Sequence, residues 1–481
     1  MISQDLMAPI MFGGLIVFLL IGYPAAFSLG AVGLFFSFIG IEMGMFQPTF
    51  LQALPDRVFG ILSNDLLLSI PFFTFMGAIL EKCGLAEDML EGLGQLFGPI
   101  RGGLAYAVII VGAILGAITG TVAASVIAMG LISLPIMLRY GYNPRVATGV
   151  IAASGTITQL IPPSLVLIVL ADQLGKSVGD MYAGAIGPSI IQIALFCLFI
   201  FFLSIFRPQD VPALPPEARP KIDWKLLKKI LWGIVPSVAL IFLVLGTILM
   251  GLATPTEGGA MGSVGALVLA AMNGRLQKTL VWDAMTSTMR INAMVIFILI
   301  GSTVFGLAFR GVDGDLWIEH LLSGLPGGQV GFLIVVNLFV FFLAFFLDYF
   351  EIAFIIIPLL APVAQKLGID LIWFGVLLGA NMQTSFMHPP FGFALFYLRG
   401  VAPKSVKSSD IYYGALPWVG LQLILVAIII FVPETVTYFI DKPAIAVDAN
   451  AISVDPLAGV EQNEITVDSS SEIERQLREN K

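Results

Sequence analysis

The sequence predicts an all-α polytopic membrane protein built as an inverted structural repeat. Three observations carry that prediction: an apolar composition, a series of long apolar runs, and a punctuation of those runs by proline, glycine and hydroxyl residues that recurs at a fixed offset. Of the 481 residues, 58% are hydrophobic and 12% charged, against roughly 25% charged in an average soluble domain. Such a surface is matched to a bilayer rather than to water. The runs Met11–Ile21, Ala105–Leu115, Ile190–Ile205, Ile230–Met250, Val330–Leu347 and Leu421–Val432 have the length and spacing of several crossing or re-entrant helices. The first residues, Met1 to Met7, lack a basic stretch and a small-residue cleavage site, so the first run is expected to be a retained span.

The repeat is visible at single residues. Pro135 pairs with Pro362, Gly141 with Gly368, and Pro162-Pro163 with Pro389-Pro390, each 227 positions apart. With small gaps the register continues from Gly77 to Gly301 and from Tyr182, Gly184 and Ala185 to Tyr412, Gly414 and Ala415. A first repeat is therefore expected over 1–206 and a second over 230–434. Between them, 207–229 reads as a linker, with five prolines from Pro208 to Pro220 and the cluster Lys225, Lys228, Lys229. The acidic stretch 435–481 reads as a tail that is disordered after Asp441.

Basic loops mark the cytoplasmic side, which places the linker there. Arg275, Lys278 and Arg290 occupy a loop region whose counterpart, 41–65, has only Arg57. Arg399, Lys404 and Lys407 face a counterpart with Lys176 between Asp172 and Asp180, and Arg139 and Arg145 correspond to Lys366 and Asp370. The basic member alternates between halves as it would if one were inserted upside down, with both termini periplasmic. Inverted repeats with broken helices place substrate and ions near the midplane.

The breaks are the candidate sites. Gly116-Ala-Ile-Thr-Gly-Thr-Val-Ala-Ala-Ser125 can turn within a membrane only where its backbone is buried in protein or faces water. Its hydroxyls Thr119, Thr121 and Ser125 are candidate ligands for a hard cation, with small-residue helix packing as the alternative. In Ala152-Ala-Ser-Gly-Thr-Ile-Thr-Gln-Leu-Ile-Pro-Pro-Ser164, the paired prolines disfavour helix just before them and release carbonyls. Ser154, Gly155, Thr156 and Thr158 are the ligands expected there, and a helix restarting after Pro163 would turn its positive end to an anion. A plain proline kink is the competing reading.

The mirror segment, Gly379 to Pro390, sets Asn381 opposite Ser154 and Ser385 opposite Thr158, with Thr384 beside them. Asp348 stands opposite Thr121; a carboxylate at membrane depth needs a cavity or a partner, so it reads as a cation ligand or as an acceptor that locks a second tip. Glu257, after Thr254-Pro-Thr, reads as a helix cap. For substrate, the candidates are Arg310, whose guanidinium can clamp a carboxylate, together with Asn292, Ser164, Gln383 and His388. Arg310 can equally snorkel or pair with Asp313 or Asp315, and His388 can be a core residue.

Other chemistry is poorly served. Cys83 and Cys197 offer neither a zinc spacing nor a disulfide framework, His320 and His388 are far apart in sequence, and no phosphate-binding glycine-rich loop with Lys-Ser/Thr is present. Uphill movement would have to draw on an ion gradient.

Taken together, Ile21-Gly-Tyr-Pro-Ala-Ala-Phe27, the Gly116–Ser125 tip, Ile161-Pro-Pro-Ser164, Thr254-Pro-Thr-Glu-Gly-Gly-Ala260, Phe346-Leu-Asp348 and Pro389-Pro-Phe-Gly-Phe-Ala-Leu-Phe396 resemble the large membrane subunit of TRAP (tripartite ATP-independent periplasmic) transporters. The likeness runs from about residue 8 to about 435. Phe309-Arg-Gly-Val-Asp-Gly-Asp315 is similar to the branch labelled mannitol/chloroaromatic. The resemblance implies an elevator-type, sodium-driven importer of the ion-transporter superfamily in the bacterial inner membrane, with two hairpins carried on a mobile part. Sodium would be the coupling ion, with no other cofactor. It also implies a small four-helix membrane subunit, a periplasmic solute-binding protein that delivers a ligand, commonly a carboxylate, and no nucleic-acid partner. Tyr349-Phe-Glu351 departs from the family's usual small residues after the aspartate. A stand-alone ion-coupled symporter, a channel and a membrane-embedded enzyme remain rival readings of the residues alone.

Overall fold

In the computed structural model, residues 4–219, 224–345, 347–389 and 392–440 are described; Phe346, Pro390, the side chain of Thr119 and the acidic tail from Asp441 lie outside them. The described chain is helical throughout. The first half runs α1 (Gln4–Ile21), α2 (Ala25–Glu42), α3 (Leu54–Leu62), α4 (Asp65–Lys82), α5 (Leu85–Phe97), α6 (Gly103–Thr119), α7 (Val122–Arg139), α8 (Pro144–Thr156), α9 (Leu165–Leu174) and α10 (Val178–Phe206). The second runs α11 (Trp224–Leu249), α12 (Pro255–Met272), α13 (Lys278–Gly311), α14 (Gly314–Ser323), α15 (Gly328–Leu343), α16 (Tyr349–Glu351), a π-turn (Ile352–Ile356), α17 (Ile357–Lys366), α18 (Leu371–Met382), α19 (Phe393–Val401) and α20 (Ser408–Phe431), with a last turn α21 (Glu434–Thr437). Among the described residues seven helices are long and apolar enough to cross a membrane, or up to nine if α3–α4, bent by 46°, and α14–α15, bent by 118°, each count as one span.

The helix ends follow their sequences. Asn64, Asn143 and Asp370 cap α4, α8 and α18 with their side chains, and Thr254 with Glu257 forms the expected capping box at α12. Cys83 is buried and donates to the Leu80 carbonyl at 3.0 Å, in keeping with a packing role.

The sequence repeat is also a packing repeat. α2 lies along α13 while α12 lies along α4; α5 meets α11 while α1 meets α14; α8 meets α20 while α18 meets α10; α7 meets α19 while α17 meets α9. Each of these contacts between halves has a counterpart with the roles exchanged, as a two-fold relation requires. In both halves a helical hairpin (α6–α7; α15 to α17) is followed by a buried helix, a short 3₁₀ turn, a proline pair, a short helix and a long one.

Two boundaries differ from expectation. α11 begins at Trp224, inside the linker, because Trp224 to Leu231 is itself helix-forming and partly apolar. The remaining linker is not a loose tether: Val211 and Leu214 are buried, and backbone hydrogen bonds join Gly102 to Val211, Asn143 to Asp210 and Leu214 to Gly98. At the other end Thr435 to Ile440 belongs to the folded body rather than to the tail, since buried Val436 packs against Gly184 and the Thr435 carbonyl sits over Gly187.

Candidate functional site

The first hairpin turns on Gly120, at φ +61°, whose N–H returns to the Gly116 carbonyl and ends α6. Thr121 is extended and α7 starts at Val122. Gly112 and Gly116 bring α6 against the first break: a Cβ on Gly112 would lie 2.6 Å from the Ser154 Cβ, and one on Gly116 2.9 Å from the Thr158 Cα. This is small-residue packing, but its purpose here is to press the hairpin onto the break.

That break is where the sequence placed it. α8 ends at Thr156, residues Ile157–Gln159 form a 3₁₀ turn, and α9 restarts at Leu165 with Ser164 as its cap, accepting from the Val166 N–H. Ser154, Thr156 and Thr158 are fully buried. Thr156 donates to the Ala153 carbonyl, whereas Ser154 Oγ and Thr158 Oγ1 have no hydrogen-bond partner among the described residues. A buried polar group left so costs roughly 1–3 kcal/mol.

At the mirror position Asn381 Nδ2 donates to the Asn337 carbonyl at 2.8 Å, and among the described residues Asn381 Oδ1 has no donor. Thr384 and Ser385 donate to the Asn381 and Met382 carbonyls, at 2.7 and 2.6 Å. The second break therefore keeps one orphan amide oxygen where the first keeps two orphan hydroxyls.

The breaks are cross-tied between halves by two glutamines that the site reading missed. Gln192 of α10 donates to Gln383 Oε1 at 2.7 Å, and Gln422 of α20 donates to Thr156 Oγ1 at 3.0 Å. Thr156 and Gln383 are 227 positions apart and Gln192 and Gln422 are 230 apart, as Tyr182 and Tyr412 are. Both glutamines are fully buried with an Oε1 unmatched. Their signal was present in the repeat register.

The two hairpin tips meet at one cavity of about 410 Å³, lined by Gly120 and Thr121 from the first and by Asp348 to Glu351 from the second. Gln159, Tyr397 and the α13 residues Ile291 to Ile298 contribute further wall. Gln159 is buried with both amide atoms unmatched. At the second tip, Asp348 Oδ1 accepts from the Tyr349 N–H at 2.7 Å while the Asp348 N–H donates to Glu351 Oε2 at 3.0 Å. Asp348 thus serves as the tip-locking acceptor and also lines the cavity.

Of the cation candidates, Thr121 and Asp348 line this cavity, and Ser154, Gly155, Thr156, Thr158, Asn381, Thr384 and Ser385 are buried at the two breaks; Ser125 is buried one turn into α7. The five substrate candidates lie elsewhere. Ser164 is the buried cap of α9, Gln383 is tied to Gln192, and His388 is buried between Phe341 and Phe345, ring centroids 4.2 and 4.3 Å away, with both nitrogens unmatched. Asn292 donates to the Thr288 carbonyl beside an apolar groove of α4, α12 and α13, and Arg310 lines a separate cavity. α13 passes several compartments, so these two residues of one apolar run line different spaces.

Residues 12–435 match the sequence profile of the family described as "Tripartite ATP-independent periplasmic transporter, DctM component". The C4-dicarboxylate TRAP transporter large permease protein DctM of Pseudomonas aeruginosa is 29% identical over 81% of this chain and 89% of its own length. The sialic acid TRAP transporter large permease protein SiaM of Vibrio cholerae is 27% identical over 86% and 93%. The isethionate TRAP transporter permease protein DctMQ of Oleidesulfovibrio alaskensis is 26% identical over 90% of this chain and 66% of its own. Among solved structures, the Alcanivorax borkumensis YdaH transporter superposes with a TM-score of 0.56 at 15% identity, covering 79% of this chain and 86% of that one, a likeness of fold.

Proposed function

The chain belongs to the family of the DctM component of tripartite ATP-independent periplasmic transporters, and on that premise we propose that it is a large permease that imports a small organic anion by symport with sodium. TRAP permeases of this kind are membrane transporters, not enzymes, and work with a small membrane subunit and a periplasmic binding protein. The observation that carries the sodium reading is the pair of mirror-related breaks with buried, unmatched oxygens, Ser154 Oγ and Thr158 Oγ1 at one and Asn381 Oδ1 at the other. A cation relieves the cost of such oxygens, and the turn backbone supplies carbonyls beside them. Thr119, Thr121, Ser125, Gly155 and Thr156 are assigned to the surroundings of the first ion, and Asp348, Thr384 and Ser385 to those of the second.

The substrate is placed in the tip cavity. Thr121, Gln159, Tyr349 and Tyr397 are its uncharged polar side chains, and the N-terminal turns of α7 and α9 open at its wall through Val122 and Leu165, the polarity that suits an anion. Asp348 and Glu351 on the same wall repel an anion unless sodium is bound, which makes occupancy by one depend on the other. The relatives named for C4-dicarboxylate, sialic acid and isethionate support an organic acid; Phe309 to Asp315 supports the mannitol/chloroaromatic branch. In the elevator reading, hairpins and broken helices move as one body, cross-tied by Gln192 and Gln422, against the arms formed by α2, α4, α12 and α13. Both termini are assigned to the periplasm and the linker to the cytoplasm of an inner-membrane protein.

Uptake into vesicles containing the permease, its small subunit and the binding protein tests this. Sodium-dependent accumulation of an organic acid, with Thr158→Val weakening sodium activation, is expected. Unchanged sodium dependence in Thr158→Val and Asn381→Ala, or labelling of linker cysteines by an impermeant reagent in intact cells, would count against coupling and topology respectively.

A further inference from the structure

A second cavity, of about 340 Å³, lies further along the seam that holds the tip cavity. α9, α13 and the helix after the second tip line both: Val166, Ile298 and Phe350 face the tip cavity, whereas Asp172, Ser302 and Phe354 face the second. Val166 and Asp172 are separated along α9 by about 9 Å at 1.5 Å per residue. The two spaces are neighbours on one interface.

Their charges are opposite. The tip cavity carries Asp348 and Glu351, whereas the second carries Arg57 of α3 and Arg310 at the end of α13. Among the described residues neither guanidinium group has an ion-pair or hydrogen-bond partner. The carboxylate on that wall, Asp172, is already matched: one oxygen accepts from Asn64 Nδ2 at 2.7 Å and the other from Gln173 Nε2 at 2.8 Å. Ser302 is engaged with the Phe354 carbonyl at 2.6 Å. Asp172 keeps its negative charge because both partners are neutral amides, so two guanidinium groups against one carboxylate leave this cavity net positive. Snorkelling suits either exposed arginine taken alone; what it does not by itself supply is a reason for both, from different elements, to line one interhelical space.

We propose that Arg57 and Arg310 form a second anion site, separate from the tip cavity, that takes the carboxylate or sulfonate group of a small organic acid. A guanidinium presents two parallel donors to such a group, and two of them lining one cavity select against neutral solutes. The choice of a small organic acid rests on the anionic-substrate reading above, while the site itself rests on the cavity and its charges. Its position, one to two helical turns from the tip cavity along shared walls, makes it a station on the same route.

Arginine modification by phenylglyoxal, read at each residue by mass spectrometry on the full-length protein in phosphatidylcholine nanodiscs, tests this. Succinate or isethionate should slow modification of Arg57 and Arg310 together several-fold, mannitol should not, and Arg145 should be unaffected. Arg57→Gln should remove the protection at Arg310, with Arg57→Lys restoring it in part. Protection should persist in sodium-free buffer, where the sodium-coupled tip cavity is expected to be empty. Loss of protection without sodium would return the anion to the tip cavity and overturn the separate site. Equal protection by phosphatidylglycerol nanodiscs without added acid would assign the arginines to a lipid headgroup and overturn it as well. Absence of protection by either acid would also overturn it, and would leave the tip-cavity reading untouched because that is measured by uptake.

Discussion

The two hairpins do the same topological task with different chemistry. The first reverses on a left-handed glycine, Gly120, and lies against the break at Ser154 and Thr158 through Gly112 and Gly116. At the repeat offset of 227 the second has Phe339, Leu343 and Leu347 in place of those glycines and Asp348 in place of Thr121. Among its described residues no turn glycine is left-handed; the tip is closed by the reciprocal Asp348–Glu351 cap and followed by a π-turn whose Phe354 carbonyl is taken by Ser302 of α13. Backbone permissiveness holds one tip and side-chain carboxylates hold the other. The first is thus welded to its own break, and the second is tied to an arm and carries charge that an ion can neutralise. A duplicated fold has kept its path and changed its fastenings.

Breaking the weld should have the largest effect. Gly116→Val would drive a Cβ into the Thr158 backbone, and overpacking of this kind costs about 1–3 kcal/mol or more. Thermal unfolding of the purified protein should show a clear drop, with loss of folded yield as the extreme. An unshifted melting temperature would mean that α6 can retreat and that the close approach is incidental.

Untying the second hairpin should cost less. Ser302→Ala removes one hydrogen bond, about 0.5–1.5 kcal/mol, and should alter transport rate more than stability because the bond joins the hairpin to the arm. Stability lost without any change in uptake rate would make it a plain packing bond.

The smallest stability effect is expected of Asp348→Asn, since asparagine caps a helix nearly as well as aspartate and even alanine costs only about 1 kcal/mol. Sodium activation of uptake should nevertheless fall, because the charge facing the cavity is gone. Full sodium activation in Asp348→Asn would restrict Asp348 to locking the tip.

Much of the frame was legible because prolines and glycines leave discrete marks: the 227-residue offset located both breaks, and the Thr254–Glu257 cap was readable from its spacing. Compartments were not. Arg310 and Asn292 stand in one apolar run, yet α13 delivers them to different spaces, neither of them the tip cavity. Gln192 and Gln422 were marked only by sharing the 230-residue register of Tyr182 and Tyr412, and Gln159, an amide with no counterpart of its kind, had no mark until its neighbours were known. The start of α11 at Trp224 was hidden by the basic residues that made the segment look like a linker.

The central claim is that the unmatched oxygens of the two breaks hold sodium. The most direct measurement is thermal unfolding of the full-length protein in detergent, titrating sodium chloride against choline chloride at constant ionic strength. Specific binding stabilises the folded state, by about 2.7 kcal/mol at a hundred times the dissociation constant. Wild type should therefore melt higher in sodium. Thr158→Val, which removes a buried unmatched hydroxyl, should be as stable as wild type in choline but gain less from sodium, whereas Ser385→Ala, whose hydroxyl is engaged with its own backbone, should lose stability in both salts. Identical melting of wild type in sodium and choline, across the whole titration, would contradict the account.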